Sequence, residues 1–301
     1  MTILGRLRVL FFGSGSPASV NALQILASRS EVIGVVAPRY RRGSNSASPL
    51  IAAARGRGLT VYELDRERQQ DLLHIRPDLI CVATFPYILQ RDVLQLASKG
   101  GINLHWSLLP RHRGSDPLFW AYFCDDRTTG VTVHWLSEMV DSGPILLQEE
   151  VPIARGRSIV ELYHELAEIG GRLLAQAVDL IDEERAPRIP QDEAAATHDP
   201  KRGENHVDPS SWPAERVWHV LRGVTIGKAS LLRDQRGRPV EHGVPRGFET
   251  RQHDRRPGTI ERIDNRLRVF CIDGFVDAET LPSFKWSRFF SKARLRRFLR
   301  R

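Results

Sequence analysis

The chain has 301 residues, 41% of them hydrophobic and 27% charged, with a formal net charge of +8. That composition excludes a disordered chain and leaves room for two domains, or one large α/β domain with an appendage. No apolar run reaches the roughly 18 residues of a membrane span, and Cys81, Cys124 and Cys271 have neither disulfide nor metal spacing, so the expected setting is a reducing cytoplasm away from membranes.

In chain order, "MTILGRLRVLFFGSGSP" reads as a first strand running into a Gly/Ser loop rather than as a secretion signal, and "ASVNALQILAS" has helical spacing. "EVIGVVA" predicts a buried strand, followed by the polar, basic loop "PRYRRGSNSASP". Then come a helix in "LIAAARGRG", a strand in "LTVYE" and a helix in "RQQDLLHIR". The strand "DLICVAT", the helix "QRDVLQLAS" and the strand "GINLHW" continue the alternation. Such alternation predicts an α/β fold with a mostly parallel, Rossmann-like sheet covered on both faces. "TGVTVHWL" and "PILLQEEVPI" follow as strands bracketing "SEMVDSG". "SIVELYHELAEIGGRLLAQAVDLIDE" carries Ile159, Leu162, Tyr163, Leu166 and Ile169 at helical spacing, a long amphipathic helix that closes the domain.

The layout expected from this is a first domain over 1–185, a Pro- and charge-rich linker over 186–211 and a smaller domain over 212–301. In the last, the helix "AERVWHVLRGV" precedes short β runs ("GTIERI", "RLRVFCI", "GFVDAETL") that predict a small antiparallel barrel or meander. Charge divides unevenly along this layout. Residues 1–200 hold 21 Lys+Arg against 24 Asp+Glu, whereas residues 201–301 hold 23 against 12, a balance of +11. The C-terminal third therefore suits a polyanionic partner, with a solvated basic surface as the plainer alternative.

Two stretches carry chemistry. "GSGSPA" sets Gly13, Gly15 and Ala18 in a dinucleotide-binding fingerprint between a strand and a helix. The second strand ends in Ala37-Pro38-Arg39 without the acid that would hold an NAD ribose, so a nicotinamide cofactor is poorly supported. "GGINLHWSLLP" puts Asn103 and His105 at the C-terminal end of a strand, alternating so that both face one side. Asp141 in "SEMVDSGP" supplies a carboxylate from a Gly-flanked loop. An amide can stabilise an oxyanion, an imidazole can move protons near neutral pH, and a carboxylate can orient and charge that imidazole. None is a strong nucleophile, so the set suits direct acyl transfer rather than a covalent enzyme intermediate.

"INLHWSLLPRHRG" followed by "TTGVTVHWLSEMVDSGPILLQ" resembles the core of the 10-formyltetrahydrofolate-dependent formyltransferases. The resemblance implies catalytic roles for Asn103, His105 and Asp141, with Asn103 and a protonated His105 stabilising the oxyanion. It implies a folate pocket lined by Phe85, Tyr87, Ile88 and Leu89 of "ATFPYIL" together with Ser137 and Val140. Gly13, Ser14, Arg39, Arg41, Arg42, Ser107, Arg113 and His134 are then expected on the acceptor side. 10-Formyltetrahydrofolate is the expected co-substrate, and no metal is implied.

The linker, the first helix and the β runs after it resemble the C-terminal domain of methionyl-tRNA formyltransferases, which makes methionyl-tRNA the leading acceptor, held in part by the basic C-terminal third. Departures matter here. "RGSDPLFWAYF" stands where those enzymes usually read "RGAAPI", and His134 sits in a strand that is usually Met-rich. The basic loop "PRYRRGSNSASP" also differs in spelling from theirs. A nucleotide-linked amino sugar or another small amine is thus the second acceptor reading. A non-catalytic RNA-binding protein and a hydrolase releasing formate from the same folate are readings of other classes.

Overall fold

The computed structural model describes residues 6–39, 47–200, 205–224 and 231–280. Two compact units divide the chain between Gly203 and Glu204.

The first unit is built on a seven-stranded sheet. Its strands and helices run β1 (Arg8–Gly13), α1 (Pro17–Arg29), β2 (Glu31–Pro38), α2 (Ser48–Arg55), β3 (Val61–Leu64), β4 (Leu79–Ala83), α3 (Arg91–Leu94) and β5 (Gly101–His105). They continue with β6 (Arg113–Gly114), α4 (Pro117–Phe123), β7 (Thr128–Trp135), β8 (Ile145–Pro152), α5 (Ile159–Asp182) and β9 (His198–Asp199). The sheet order is β3-β2-β1-β4-β5-β7-β8. β1 to β5 pair in parallel, while β7 and β8 add antiparallel strands at one edge. Central strand β4 is buried throughout and β1 is buried beyond its first residue, as expected for strands covered on both faces. α1 and α5 pack together on the sheet, and Asn21 Nδ2 ties them by donating to the Ala167 carbonyl at 2.9 Å.

Chain order reverses between β1 and β4, so the crevice beyond their C-terminal ends is the place where an open α/β sheet takes its ligand. Ser14, Ser16, Ser19 and Thr84 meet there in one hydroxyl cluster, with Ser14 and Ser16 each 2.8 Å from Thr84 Oγ1.

Three elements differ from the sequence expectation. "RQQDLLHIR" forms only a 3₁₀ turn over Gln69–Leu72, because Gln69 turns inward to hold another loop, donating to the Ile88 carbonyl and accepting from Gln90 N, each at 2.9 Å. α3 is a single turn. α4 was not expected; Pro117 to Tyr122 are all buried, so the segment shows no polar face and hence no helical stripe.

The second unit contains α6 (Ala214–Gly223) and the strands β10 (Pro245–Thr250), β11 (Ile260–Ile263), β12 (Arg266–Phe270) and β13 (Gly274–Glu279). These form an antiparallel sheet in the order β10-β13-β12-β11. α6 packs against β10 and β13 and buries Val217, Val220 and Leu221. β11, β12 and β13 are the expected meander, and β10 adds an edge strand. Among the described residues, no helix is long and apolar enough to cross a membrane.

Candidate active site

β5 carries Asn103 and His105 on one face because successive strand side chains alternate. Antiparallel register sets Asn103 opposite His134 on β7, with Asn103 Nδ2 3.1 Å from His134 Nε2. His134 Nδ1 lies 2.9 Å from the Trp135 carbonyl. A carbonyl only accepts, so Nδ1 holds the proton and Nε2 accepts from the Asn103 amide.

Asp141 reaches the same point from the β7–β8 loop. Its Oδ2 accepts the Gly114 N–H at 3.0 Å and stands 3.6 Å from His105 Nδ1. Its Oδ1 is 3.4 Å from Asn103 Nδ2 and 3.5 Å from His134 Nε2. Asp141 adopts a left-handed φ of +52°, a conformation Asp tolerates better than most residues. Two residues on, a Cβ on Gly143 would lie 1.8 Å from the Trp135 carbonyl oxygen, so the loop can close this tightly only with glycine there.

Burial decides the charge states. His105 is buried, which pushes its pKa below the ordinary histidine value, against the opposing pull of Asp141 and the His112 carbonyl. Burial thus favours the neutral ring in the resting site. Burial works to raise the Asp141 pKa, but His105, His134 and the Gly114 amide outweigh it and hold the carboxyl at about 2. His105 Nε2 sits 2.8 Å from the His112 carbonyl, so that nitrogen carries the neutral ring's proton and Nδ1 is the basic one.

The remaining sequence-predicted residues are spread more widely. Phe85 and Leu89 pack against the core, with Phe85 edge-on to both Phe12 and Tyr87 at 5.3 and 5.4 Å. Ile88 and Val140 are exposed, and the Arg91–Glu138 ion pair (3.4 Å) links the segment after Ile88 to the segment before Val140. Ser137 braces the second segment through the Met139 carbonyl at 2.8 Å. Gly13 and Ser14 line the β1–β4 crevice, and Arg39 is exposed beyond β2; Arg41 and Arg42 lie outside the described residues.

Ser107 and Arg113 correct the expectation that they face the acceptor. Ser107 is buried and donates to the Arg111 carbonyl at 2.7 Å, closing the turn after β5. Arg113 is buried too, and its guanidinium is engaged by Gln191 and Glu193. Both are turned inward by these bonds.

Arg113 leads to residues that the sequence did not single out. Residues 189–200, expected as linker, lie against the site as a strap. Ile189 exchanges backbone hydrogen bonds with Ile145, and Gln191 Nε2 donates to the Asp141 and Gly143 carbonyls at 2.8 and 2.7 Å. β9 pairs with β6, and Thr197 Oγ1 accepts the His112 N–H at 2.7 Å. His112 itself is buried between two carboxylates, Nδ1 2.5 Å from Asp199 and Nε2 2.7 Å from Asp126. Among the described residues, no group of three or more His, Cys, Asp or Glu side chains is arranged to hold a metal ion.

An amide, a neutral imidazole and an anchored carboxylate at the C-terminal edge of a doubly wound sheet suit acyl transfer to an amine. Comparison with known proteins agrees. Residues 7–178 match the family model described as formyl transferase. A methionyl-tRNA formyltransferase of Moorella thermoacetica is 37% identical, over 72% of this chain and 73% of its own length. Another, from Roseiflexus castenholzii, is 33% identical over 94% of this chain and 96% of its own. The solved structure of a sugar 3N-formyl transferase in the presence of dTDP and 5-N-formyl-THF superposes with a TM-score of 0.70 at 16% identity, covering 93% of this chain and 99% of that one. The chain thus belongs to the formyl transferase family.

Proposed function

We propose that the chain transfers the formyl group of 10-formyltetrahydrofolate to the primary amine of methionyl-tRNA. The observation that carries the acceptor is coverage: a methionyl-tRNA formyltransferase 33% identical to this chain extends over 94% of it, through both units. The +11 balance of residues 201–301 supports a polyanionic acceptor.

Exposed Ile88 and Val140, with partly buried Phe85 and Leu89, offer apolar surface for a flat heterocycle. As the amine nitrogen attacks the formyl carbon, a C–N bond forms and the carbonyl oxygen becomes an oxyanion. The Asn103 N–H that reaches Asp141 over a long 3.4 Å is the one free to turn to that oxygen. His105, neutral at the start, takes the amine's proton at Nδ1 and becomes an imidazolium facing the Asp141 carboxylate. It returns the proton to N10 as the bond from carbon to N10 breaks, leaving formylated amine and tetrahydrofolate.

A second reading keeps the chemistry and changes the acceptor to a nucleotide-linked amino sugar. The likeness to the sugar 3N-formyl transferase along 93% of the chain favours it. Presenting methionyl-tRNA and a nucleotide-linked amino sugar separately, with 10-formyltetrahydrofolate, decides between the two. We expect formyl-methionyl-tRNA; turnover of the sugar alone would replace the first reading by the second.

A further inference from the structure

We propose that His112 is a positioning residue for formyl transfer: held as an imidazolium between Asp126 and Asp199, it fixes through its own carbonyl the tautomer and aim of His105. The proposal rests on the reading of His105 as the group that moves the amine proton.

A carbonyl oxygen 2.8 Å from His105 Nε2 holds a proton on that nitrogen and leaves Nδ1 bare, 3.6 Å from Asp141. The site needs that tautomer, because Nδ1 is the nitrogen whose positive charge Asp141 can answer. The carbonyl belongs to His112, whose place is over-determined. Its N–H donates to Thr197 Oγ1 at 2.7 Å, and its two ring nitrogens each face a carboxylate. A neutral imidazole has one N–H and would turn a lone pair toward one of those carboxylates, so two such partners call for the doubly protonated ring. His112 also holds φ at +59°, a left-handed conformation that persists only where surrounding contacts enforce it.

The two carboxylates come from distant parts of the chain. Asp126 lies just before β7 and is shared with Arg111 at 2.8 Å, whereas Asp199 lies on β9 of the strap. Arg113, beside His112, is engaged by Glu193 and Gln191. On the other side, His105 faces Asp141 and His134. Burial works to lower the His112 pKa, but the bonds to Asp126 and Asp199 outweigh it and raise the pKa. The charge on His112 in turn disfavours a second proton on His105, in the same direction as burial does. One side chain thus sets both where the His105 proton sits and how readily another is taken.

Two variants of the full chain test this, Asp199→Asn, which keeps shape and removes one charge, and His112→Gln. For each, kcat and the folate KM are measured against pH with methionyl-tRNA and with a nucleotide-linked amino sugar, and the His105 tautomer is read by ¹⁵N NMR without substrates. We expect kcat to fall roughly 10- to 100-fold, as when groups that orient a working side chain are lost, with the folate KM changed less than about twofold. In His112→Gln, which removes the charge on that ring, the acid limb of the kcat profile should move to higher pH, and in both variants NMR should show the Nδ1–H form of His105 growing in. Should His112→Gln not fold, Asp199→Asn carries the test. Wild-type kcat and tautomer in the folded Asp199→Asn protein would overturn the proposal, as would a wild-type His105 protonated at Nδ1 in its neutral form. A wild type that formylates neither acceptor but shows the expected tautomer change would instead overturn the functional reading and leave the clamp supported.

Discussion

At the scale of single residues, the site sets an imidazole whose pKa burial lowers beside a carboxylate kept charged by its neighbours. In the proposed mechanism, Asn103 and His105 both act on one tetrahedral intermediate. Asn103→Ala and His105→Ala should each lower kcat by about 10²–10³-fold, and the double variant should lose little more than the worse single one; steady-state kinetics of the three proteins checks this. Because the His105 pKa lies below its ordinary value, activity should be full at neutral pH and fall only as the pH drops below about 6.5. Asp141 pulls that pKa upward, so Asp141→Asn should shift the acid limb to still lower pH while reducing the rate; a pH–rate profile of the variant reads both effects. His112 titrates in the opposite sense. Its folded pKa is raised, so its stabilisation is complete below about pH 6.5 and is lost as the pH rises through the folded value. Thermal melts between pH 6 and 9 should show the wild type losing more stability than His112→Gln as pH increases.

Among the elements, β5, β7 and the strap divide the positioning. β5 sets the amide and imidazole on one face, β7 places His134 opposite the amide, and the strap holds the loop that brings Asp141. Gln191 bonds both the Asp141 and the Gly143 carbonyls and also accepts from Arg113. Gln191→Ala should therefore destabilise the unit by about 1–3 kcal/mol through the polar groups left unpaired and lower kcat more than it raises the folate KM; denaturant melts and kinetics measure the two. What was legible in the sequence follows the range of the contacts. Asn103 and His105 stand out because strand alternation is local, and Asp141 because its loop is flanked by glycine and strands. The strap read as linker because its composition is polar and Pro-rich, and its partners lie far off in the chain: Gln191 is 50 residues from Asp141 and Asp199 is 87 from His112. No local pattern marks such pairs. The inward turn of Arg113 was hidden for the same reason, since a buried arginine and an exposed one are spelled alike.

For the whole molecule, the contrast between a nearly balanced first 200 residues and a basic remainder concerns the acceptor rather than the fold. If tRNA is the acceptor, its affinity should fall with salt at a log–log slope of about −0.7 to −0.9 per phosphate neutralised. Removing residues 285–301 deletes eight basic side chains and should flatten that slope while leaving folate affinity unchanged; those residues lie outside the described ones, and the expectation rests on charge alone. Filter binding at several salt concentrations tests it, and an unchanged slope would assign the phosphate contacts elsewhere.

Formylation of methionyl-tRNA by 10-formyltetrahydrofolate, followed with the wild type and with His105→Ala at equal concentration, tests the central claim most directly. The wild type should form one formyl-methionyl-tRNA for each tetrahydrofolate released. His105→Ala should do so slower by about 10²–10³-fold while binding folate as before. A wild type that leaves methionyl-tRNA unformylated at every salt concentration, or a His105→Ala protein of near-normal rate, would contradict it.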